Sequence, residues 1–514
     1  MATLADLCRS AENEKAAVII PGKESFVVSH IELEHHIDTC QRQLADLGIL
    51  PGAAVSICLP NSLEFIITFL ATTRQRGIAA PLNPAYKQDE VEFYVDDLDA
   101  AAAVMVPRGA HEKDSPAVRA ARKYGGAVVE CHWMDDCMAF DVKEKGKLDV
   151  RRAADLTKPH ANDVALVLHT SGTTDRPKLV ALTHQNIVVS LDNIRRTYSL
   201  QPADRTMLIM PLFHVHGLIA SFLSTLRAGS AVIVPPRLAP SFWTDFATHK
   251  ASWYTATPTM HQILLSFAQP EPMPPVRFIR SCSSPLSPQV LKTLEEHFAA
   301  PVLEAYAMTE ATHQITSNPL PPAPHVPGSV GVPHGNIEVR ILEADGQDVA
   351  TGNEGEICIR GPSVTAGYRS NSEANASAFF TSDDGLPFFR TGDWGRRDQD
   401  GYLYLTGRIK EFINKGGEKI SPVEIDHVIA AHPAVADVVT FTIEDDMYGQ
   451  DIGAAVMLKD GERLSAKEVQ RWVRDRVAPK KVPKKVWFPA EIPKTATGKV
   501  QRKLVAEKMI KEAE

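Results

Sequence analysis

From the N-terminus to near residue 400 the chain alternates short runs of Val, Ile, Leu and Ala with longer amphipathic stretches, and this alternation narrows the fold more than any other feature. The runs at 164–168, 205–210, 231–234 and 276–279 have strand length. Strands alternating with helices point to parallel sheets covered by helices. At 514 residues the chain exceeds one ordinary hydrophobic core, so two or more domains are expected. A Pro-rich passage at 319–327 interrupts the pattern and leads into a more β-rich segment that includes 337–341 and 355–360. Beyond it lies a strand at 402–405. The string Ser421-Pro422-Val423-Glu424 then offers an N-cap, a proline at the first helical position and a capping-box glutamate, for a helix running to about His432. Runs at 435–443 and 452–458 predict two more strands, and Ser465 with Glu468 a second capping box. The predicted class is α/β: a large N-terminal domain of stacked sheets covered by helices plus a β-rich subdomain over 1–407, and a small α+β C-terminal domain over 408–514.

Hydrophobic residues make up 44% and charged residues 23%, ordinary values for a globular enzyme. The net charge of -8 argues against nucleic acid as a partner, because such partners usually demand a basic face. The 7 cysteines are scattered, without a CxxC pair, which predicts reduced and mostly buried thiols. No secretory signal is visible at the N-terminus. The apolar stretch at 65–71 falls short of the ~20 residues that span a bilayer, so no membrane insertion is expected. The chain ends Lys-Glu-Ala-Glu rather than in a peroxisomal Ser-Lys-Leu, and the predicted location is cytoplasmic.

The most informative stretch is 168–180. Thr170, Ser171, Gly172, Thr173 and Thr174 are followed by Lys178, a composition suited to wrapping an oligophosphate. Hydroxyls and close-approaching backbone N–H groups hold phosphate oxygens, and the ammonium offsets their charge. It is not a Walker loop, since no Gly-Lys-Ser/Thr follows at the required spacing. Taken alone, such a string is more often an ordinary solvated turn.

Four further segments change that balance: Tyr-Ala-Met-Thr-Glu at 306–310, Arg-Thr-Gly-Asp at 390–393, Gly-Arg-Ile-Lys-Glu at 407–411 and Pro-Lys-Thr-Ala-Thr-Gly-Lys at 493–499. In this order, and over nearly the whole chain, they resemble the ANL adenylate-forming superfamily of acyl-CoA synthetases, luciferases and nonribosomal adenylation domains. The resemblance implies an acid–thiol ligase. The acid attacks the α-phosphate of ATP and expels diphosphate, and the thiol of CoA then displaces AMP. Mg²⁺ would accompany the ATP.

By the same resemblance, residues 170–178 would hold the β- and γ-phosphates, Thr309 would contact the α-phosphate, and Glu310 would bind Mg²⁺, which prefers oxygen ligands. Asp393 and Arg408 would hold the ribose, while Glu304, Ala305, Tyr306 and Ser283 would border the adenine and its loop. Lys499 would bridge the attacking carboxylate and the α-phosphate as the adenylation lysine. The small domain would be mobile, turning about Lys410 between half-reactions. Lys415, Gly416 and Gly417 would then pass beside the pantetheine arm of CoA. The chain departs from many relatives at 281–285, where glycines give way to Ser-Cys-Ser-Ser-Pro.

The acid is read from residues between these motifs. His214, a gate position in the resemblance and counted here with the catalytic residues, stands with His216 in Pro-Leu-Phe-His-Val-His-Gly, and His313 follows Glu310. A zinc site is an alternative for His-x-His, but no third ligand is evident nearby. His214, His216, Ser283 and His313 would give the acyl site a polar end suited to a second carboxylate. The strings at 280–283, 305–313 and 416–422 resemble the oxalate–CoA ligase branch of plants and fungi, with oxalate, ATP and CoA as the small-molecule partners. A medium-chain or aromatic acyl-CoA ligase of the same fold remains an alternative, and a catalytically inactive nucleotide-binding protein a further one. The oligomeric state is not legible.

Overall fold

The computed structural model describes residues 3–7, 14–99, 101–134, 136–149, 156–170, 177–343, 346–382, 384–495 and 500–511. The α/β class holds. The predicted runs form the strands Val164–Thr170, Arg205–Met207, Ala231–Ile233 and Phe278–Ser281. Two large mixed sheets, of seven and nine strands, carry most of them. In the nine-stranded sheet Ala16–Ile20, Ala231–Ile233, Arg205–Met207, Trp253–Ala256, Phe278–Ser281 and Val302–Met308 run parallel. Beyond Val302–Met308 the antiparallel strand His313–Ser317 follows.

Helices fill the space between the sheets. Leu63–Arg74 has eleven of its twelve residues buried, from Leu63 and Phe65 through Arg74, and its apolar side chains join one core with strand residues such as Val55, Ala79, Val18 and Val232 from both sheets. A helix apolar on every side must lie inside a protein or a membrane. Here two sheets cover it, which accounts for the apolar stretch at 65–71, and among the described residues no helix is long and apolar enough to cross a membrane.

The β-rich segment forms a five-stranded sheet that includes Glu338–Leu342, Glu354–Arg360, Pro387–Arg397 and Leu403–Arg408. A second five-stranded sheet begins at Ile413–Lys415 and has its own cores, one around Ile425, Ile429, Val438 and Val469, the other around Phe441, Val505 and Met509. Ser465 and Glu468 form the expected capping box before the helix Ala466–Arg474.

The capping box expected at Ser421 does not form. Ser421 caps the helix Pro422–Ala430 in position only, because its hydroxyl donates to the Thr406 carbonyl, and Glu424 pairs with Lys481 at 2.7 Å. Both side chains serve contacts with neighbouring segments instead, a tertiary demand that local sequence does not reveal.

Candidate active site

The nucleotide end begins at a hairpin. Thr170 and Lys178 lie opposite each other at the ends of Val164–Thr170 and Lys178–Thr183, and Thr170 Oγ1 donates to the Lys178 carbonyl at 3.4 Å. Ser171, Gly172, Thr173 and Thr174 lie outside the described residues, as does Lys499. Lys178 Nζ sits 4.7 Å from the centroid of the Tyr368 ring, and the Tyr368 hydroxyl donates to Glu310 Oε1 at 2.8 Å. One aromatic side chain thus links the lysine of the hydroxyl loop to the acid expected to hold a metal. Thr309 and Glu310 form a 3₁₀ turn directly after the strand Val302–Met308. Burial raises the Glu310 carboxyl above its ordinary range.

Tyr306 and Glu304 share one face of Val302–Met308, with Ala305 between them on the other. The Tyr306 hydroxyl donates to Asp393 Oδ2, and Arg408 Nε donates to Asp393 Oδ1 at 2.8 Å. The Asp393 charge is the main cause that raises the Arg408 guanidinium above its ordinary value. Glu304 accepts from the Gly328 N–H at 3.1 Å, and burial pushes its carboxyl up to about 7.

A second cluster lies at the C-terminal ends of the parallel strands. His216 opens a π-helical segment, His216–Leu223, a distortion that often marks functional sites. Its Nδ1 is 3.0 Å from Ser283 Oγ and its Nε2 is 2.6 Å from Thr255 Oγ1. The rings of His216 and His313 stack with centroids 5.4 Å apart. His313 Nε2 accepts from the Arg280 guanidinium at 3.0 Å, while its buried Nδ1 has no hydrogen-bond partner among the described residues. Burial, reinforced by the Arg280 charge, holds both imidazoles well below the usual histidine range, so they are neutral at neutral pH. The half-buried His214 accepts the His216 N–H on its Nδ1 at 3.3 Å. Two side chains of this cluster sit on unusual backbone: Ser283 has φ of 77° and His313 of 90°. Such strain in non-glycine residues concentrates at functional sites.

The remaining predicted residues lie in the C-terminal part. Lys410 is in the 3₁₀ turn Ile409–Glu411 that follows the strand bearing Arg408. Lys415 is buried, with Nζ 2.5 Å from Asp451 Oδ1, so its ammonium is already paired. Gly416 has φ of 59°, and a Cβ there would come within 3.0 Å of the Tyr448 ring. Lys494 and Val500, which flank the segment holding Lys499, pair as an isolated bridge. Lys494 Nζ donates to Thr259 Oγ1 at 3.0 Å, tying this segment to the helix Pro258–Ser266 of the large unit.

Residues 7–369 match the model of the AMP-binding enzyme family, and residues 424–499 match that of the AMP-binding enzyme C-terminal domain. The chain belongs to the AMP-binding enzyme family. Within this family it is 45% identical to an oxalate–CoA ligase of Arabidopsis thaliana, across 96% of this chain and 95% of that protein. It is 43% identical to an oxalate–CoA ligase of Saccharomyces cerevisiae, across 97% and 95% of the two chains. The fold matches the ATP-bound crystal structure of MatB from Rhodopseudomonas palustris, with a TM-score of 0.86, 26% identity and 100% of both chains covered.

The AMP-binding motifs expose most of the candidate nucleotide residues to sequence reading, but do not mark Tyr368, Thr255 or Arg280 as candidate site residues. Tyr368 reaches Glu310 from a loop tied by a single bridge to Val180, a contact with no local signature. Arg280 carried a usable signal: with Arg277 it is one of two charges in the short run 276–281, and unlike Arg277 it is fully buried.

Proposed function

We propose that this chain is an ATP-dependent oxalate–CoA ligase, converting oxalate, ATP and CoA to oxalyl-CoA, AMP and diphosphate. The observation that carries this reading is the buried cluster in which Ser283, His216 and His313 meet, with His313 Nδ1 left without a partner among the described residues. An unpartnered buried donor costs about 1–3 kcal/mol unless a ligand satisfies it. A second carboxylate is the acceptor that fits, and the two oxalate–CoA ligases named above support the same acid.

In the first half-reaction a carboxylate oxygen of the acid bonds to the α-phosphorus of ATP and the bond to diphosphate breaks. Asp393 and Arg408 hold the ribose, Thr309 the α-phosphate, and Lys178 with the loop 170–174 the outer phosphates. Lys499 bridges the incoming carboxylate and the α-phosphate, where negative charge gathers. In the second half-reaction the CoA sulfur bonds to the acyl carbon, the bond to AMP breaks and the thiol proton leaves. The unit 408–514 reorients about Lys410 between the two, bringing the glycine pair after Lys415 toward CoA.

Mg²⁺ suits the acid at Glu310. Burial pushes its carboxyl toward the neutral form despite hydrogen bonds from a backbone N–H and the neutral Tyr368 hydroxyl and despite the Arg408 charge, so a bound cation would supply further counter-charge. Such an ion commonly takes its other ligands from phosphate and water. When bound, the ion would neutralise phosphate charge during adenylation. A reducing, cytoplasmic compartment fits the free thiols Cys40, Cys58, Cys131, Cys282 and Cys358, all buried.

The test is CoA-dependent AMP release across a panel of acids. Oxalate is expected to be the best substrate, malonate weak, and acetate, octanoate and coumarate at least roughly 10⁴-fold poorer, the rejection expected when polar groups lose their partner. Preference for a monocarboxylic acid would overturn the choice of oxalate.

A further inference from the structure

Arg280 lies at the end of the strand Phe278–Ser281 with no exposed surface. Its hydrogen bonds go to Tyr198 Oη at 2.7 Å, Thr255 Oγ1 at 3.2 Å, His313 Nε2 at 3.0 Å, His216 Nε2 at 3.5 Å and Gln314 Oε1 at 3.4 Å. All of these acceptors are neutral, and among the described residues no carboxylate pairs with this guanidinium. A buried charge is normally paired, because removing it from water costs several kcal/mol. This one is solvated entirely by neutral groups, and those groups lead to Ser283 and His313.

The direction of each hydrogen bond follows from what arginine can do. A guanidinium only donates. His313 Nε2 must therefore accept, and in a neutral ring the remaining proton sits on Nδ1. That Nδ1 is the buried atom without a partner. On the other branch Thr255 Oγ1 accepts from Arg280, leaving its own proton for His216 Nε2 at 2.6 Å. His216 Nδ1 then carries a proton and donates to Ser283 Oγ at 3.0 Å. Ser283 keeps its hydroxyl hydrogen for something else.

We propose that Arg280 is a specificity-determining positioning residue: it orients the protons along Thr255, His216 and Ser283 and within His313, so that both branches end in a donor and select an acid with a second carboxylate. This rests on the reading that Ser283 and His313 meet the far end of the acid. With the opposite proton direction the same side chains would present acceptors and repel that carboxylate. The guanidinium also supplies a positive charge behind a wall of neutral imidazoles, so the substrate anion acts as its counter-ion.

The full-length protein tests this in two ways. Selective ¹⁵N-histidine NMR on the unliganded wild type, with His313 assigned by its loss in His313→Asn, should show the Nδ1–H tautomer at neutral pH. An Nε2–H tautomer overturns the proposal, whatever the acid turns out to be. The kinetic arm compares Arg280→Met, Arg280→Lys and the isosteric Thr255→Val, which keeps the charge and breaks one branch. Thr255→Val should raise KM for oxalate about tenfold, the loss of one hydrogen bond to a charged group, with KM for ATP within about twofold. Arg280→Met should lose about a hundredfold or more in kcat/KM for oxalate, and Arg280→Lys should recover part of it.

Removal of the cation should also change the pH profile. The charged and titratable groups acting on the two imidazoles are Arg280, His214 from the preceding loop and, at His216, His261 from Pro258–Ser266, while Tyr198 at the end of the helix His184–Thr197 contacts Arg280. Without Arg280 one of the causes that lower the imidazoles is gone while burial, the larger one, remains, so the acid limb of the oxalate pH profile should rise in Arg280→Met relative to wild type. Unchanged oxalate kinetics in Thr255→Val, or in a folded Arg280→Met, overturns the proposal. If Arg280→Met does not fold, Thr255→Val and the tautomer measurement decide. A wild type that activates no oxalate defeats the functional reading instead, and the tautomer still reports on the proton direction.

Discussion

Asp393 and Arg408 lie directly opposite each other on the antiparallel strands Pro387–Arg397 and Leu403–Arg408, so cross-strand register alone brings guanidinium and carboxylate to 2.8 Å. Asp393 is 5% exposed and also receives the Tyr306 hydroxyl, which fixes its carboxylate before any ligand arrives. Strand pairing is a rigid way to hold a group proposed to meet two ribose hydroxyls, and a carboxylate can accept from several donors at once.

Asp393→Ala is therefore expected to raise KM for ATP by at least about tenfold, since hydrogen bonds to a charged group contribute roughly 1.5–3 kcal/mol. The KM for the acid should change far less. Steady-state kinetics at saturating acid and CoA measure this, alongside a circular dichroism check of folding. Unaltered ATP kinetics in a folded protein would remove Asp393 from the nucleotide site.

The two half-reactions should separate at Lys499 and Lys410. Lys499→Ala is expected to slow adenylate formation by about two to four orders of magnitude, the scale of losing a group aimed at developing charge. Thioester formation from pre-made oxalyl-AMP should survive. Lys410→Pro should do the reverse, because proline restricts the dihedral about which the small unit is proposed to turn. Single-turnover assays of each step give the answer, and equal impairment of both steps in both variants would sink this division of labour.

Glu304 provides a pH-dependent term in stability. Burial raises its carboxyl from 4.5 to about 7, so the native state holds a proton that the unfolded chain releases. Its contribution is fully present below about pH 4.5 and is lost as pH rises through about 7, at most about 3 kcal/mol at 1.36 kcal/mol per pKa unit. Glu304→Gln keeps an acceptor for the Gly328 N–H and cannot ionise. Its Tm relative to wild type should be higher at pH 8 than at pH 5. A Tm difference that does not vary with pH would rule this out.

How much of this was legible in the sequence depended on whether a feature was local. Runs such as Val164–Thr170 and the capping box at Ser465 declare themselves through period and spacing, and the structure has them. Sheet membership does not: Ala16–Ile20 pairs with Ala231–Ile233, far along the chain, through contacts that no short window contains. The motif strings marked Thr309, Glu310, Asp393 and Arg408 because each belongs to a contiguous signature. Arg280, Thr255 and Tyr368 matter through what the fold sets beside them, and Ser421 looked like a capping-box residue until its hydroxyl was found on Thr406.

Ser283 offers a trade between stability and specificity. With φ of 77° it occupies left-handed backbone, which costs a residue bearing a Cβ about 1–2 kcal/mol and glycine almost nothing. Ser283→Gly should therefore raise Tm, by up to a few degrees for a chain of this size. The same change removes the hydroxyl that receives the His216 Nδ1 proton and is proposed to donate to the acid. The kcat/KM for oxalate should fall at least about tenfold, with KM for ATP nearly unchanged. Thermal unfolding and acid-dependent AMP release on one preparation read both quantities. A variant with higher Tm and lower oxalate activity identifies the strain as retained for function, whereas a more stable variant with intact oxalate turnover would exclude Ser283 from the acid site.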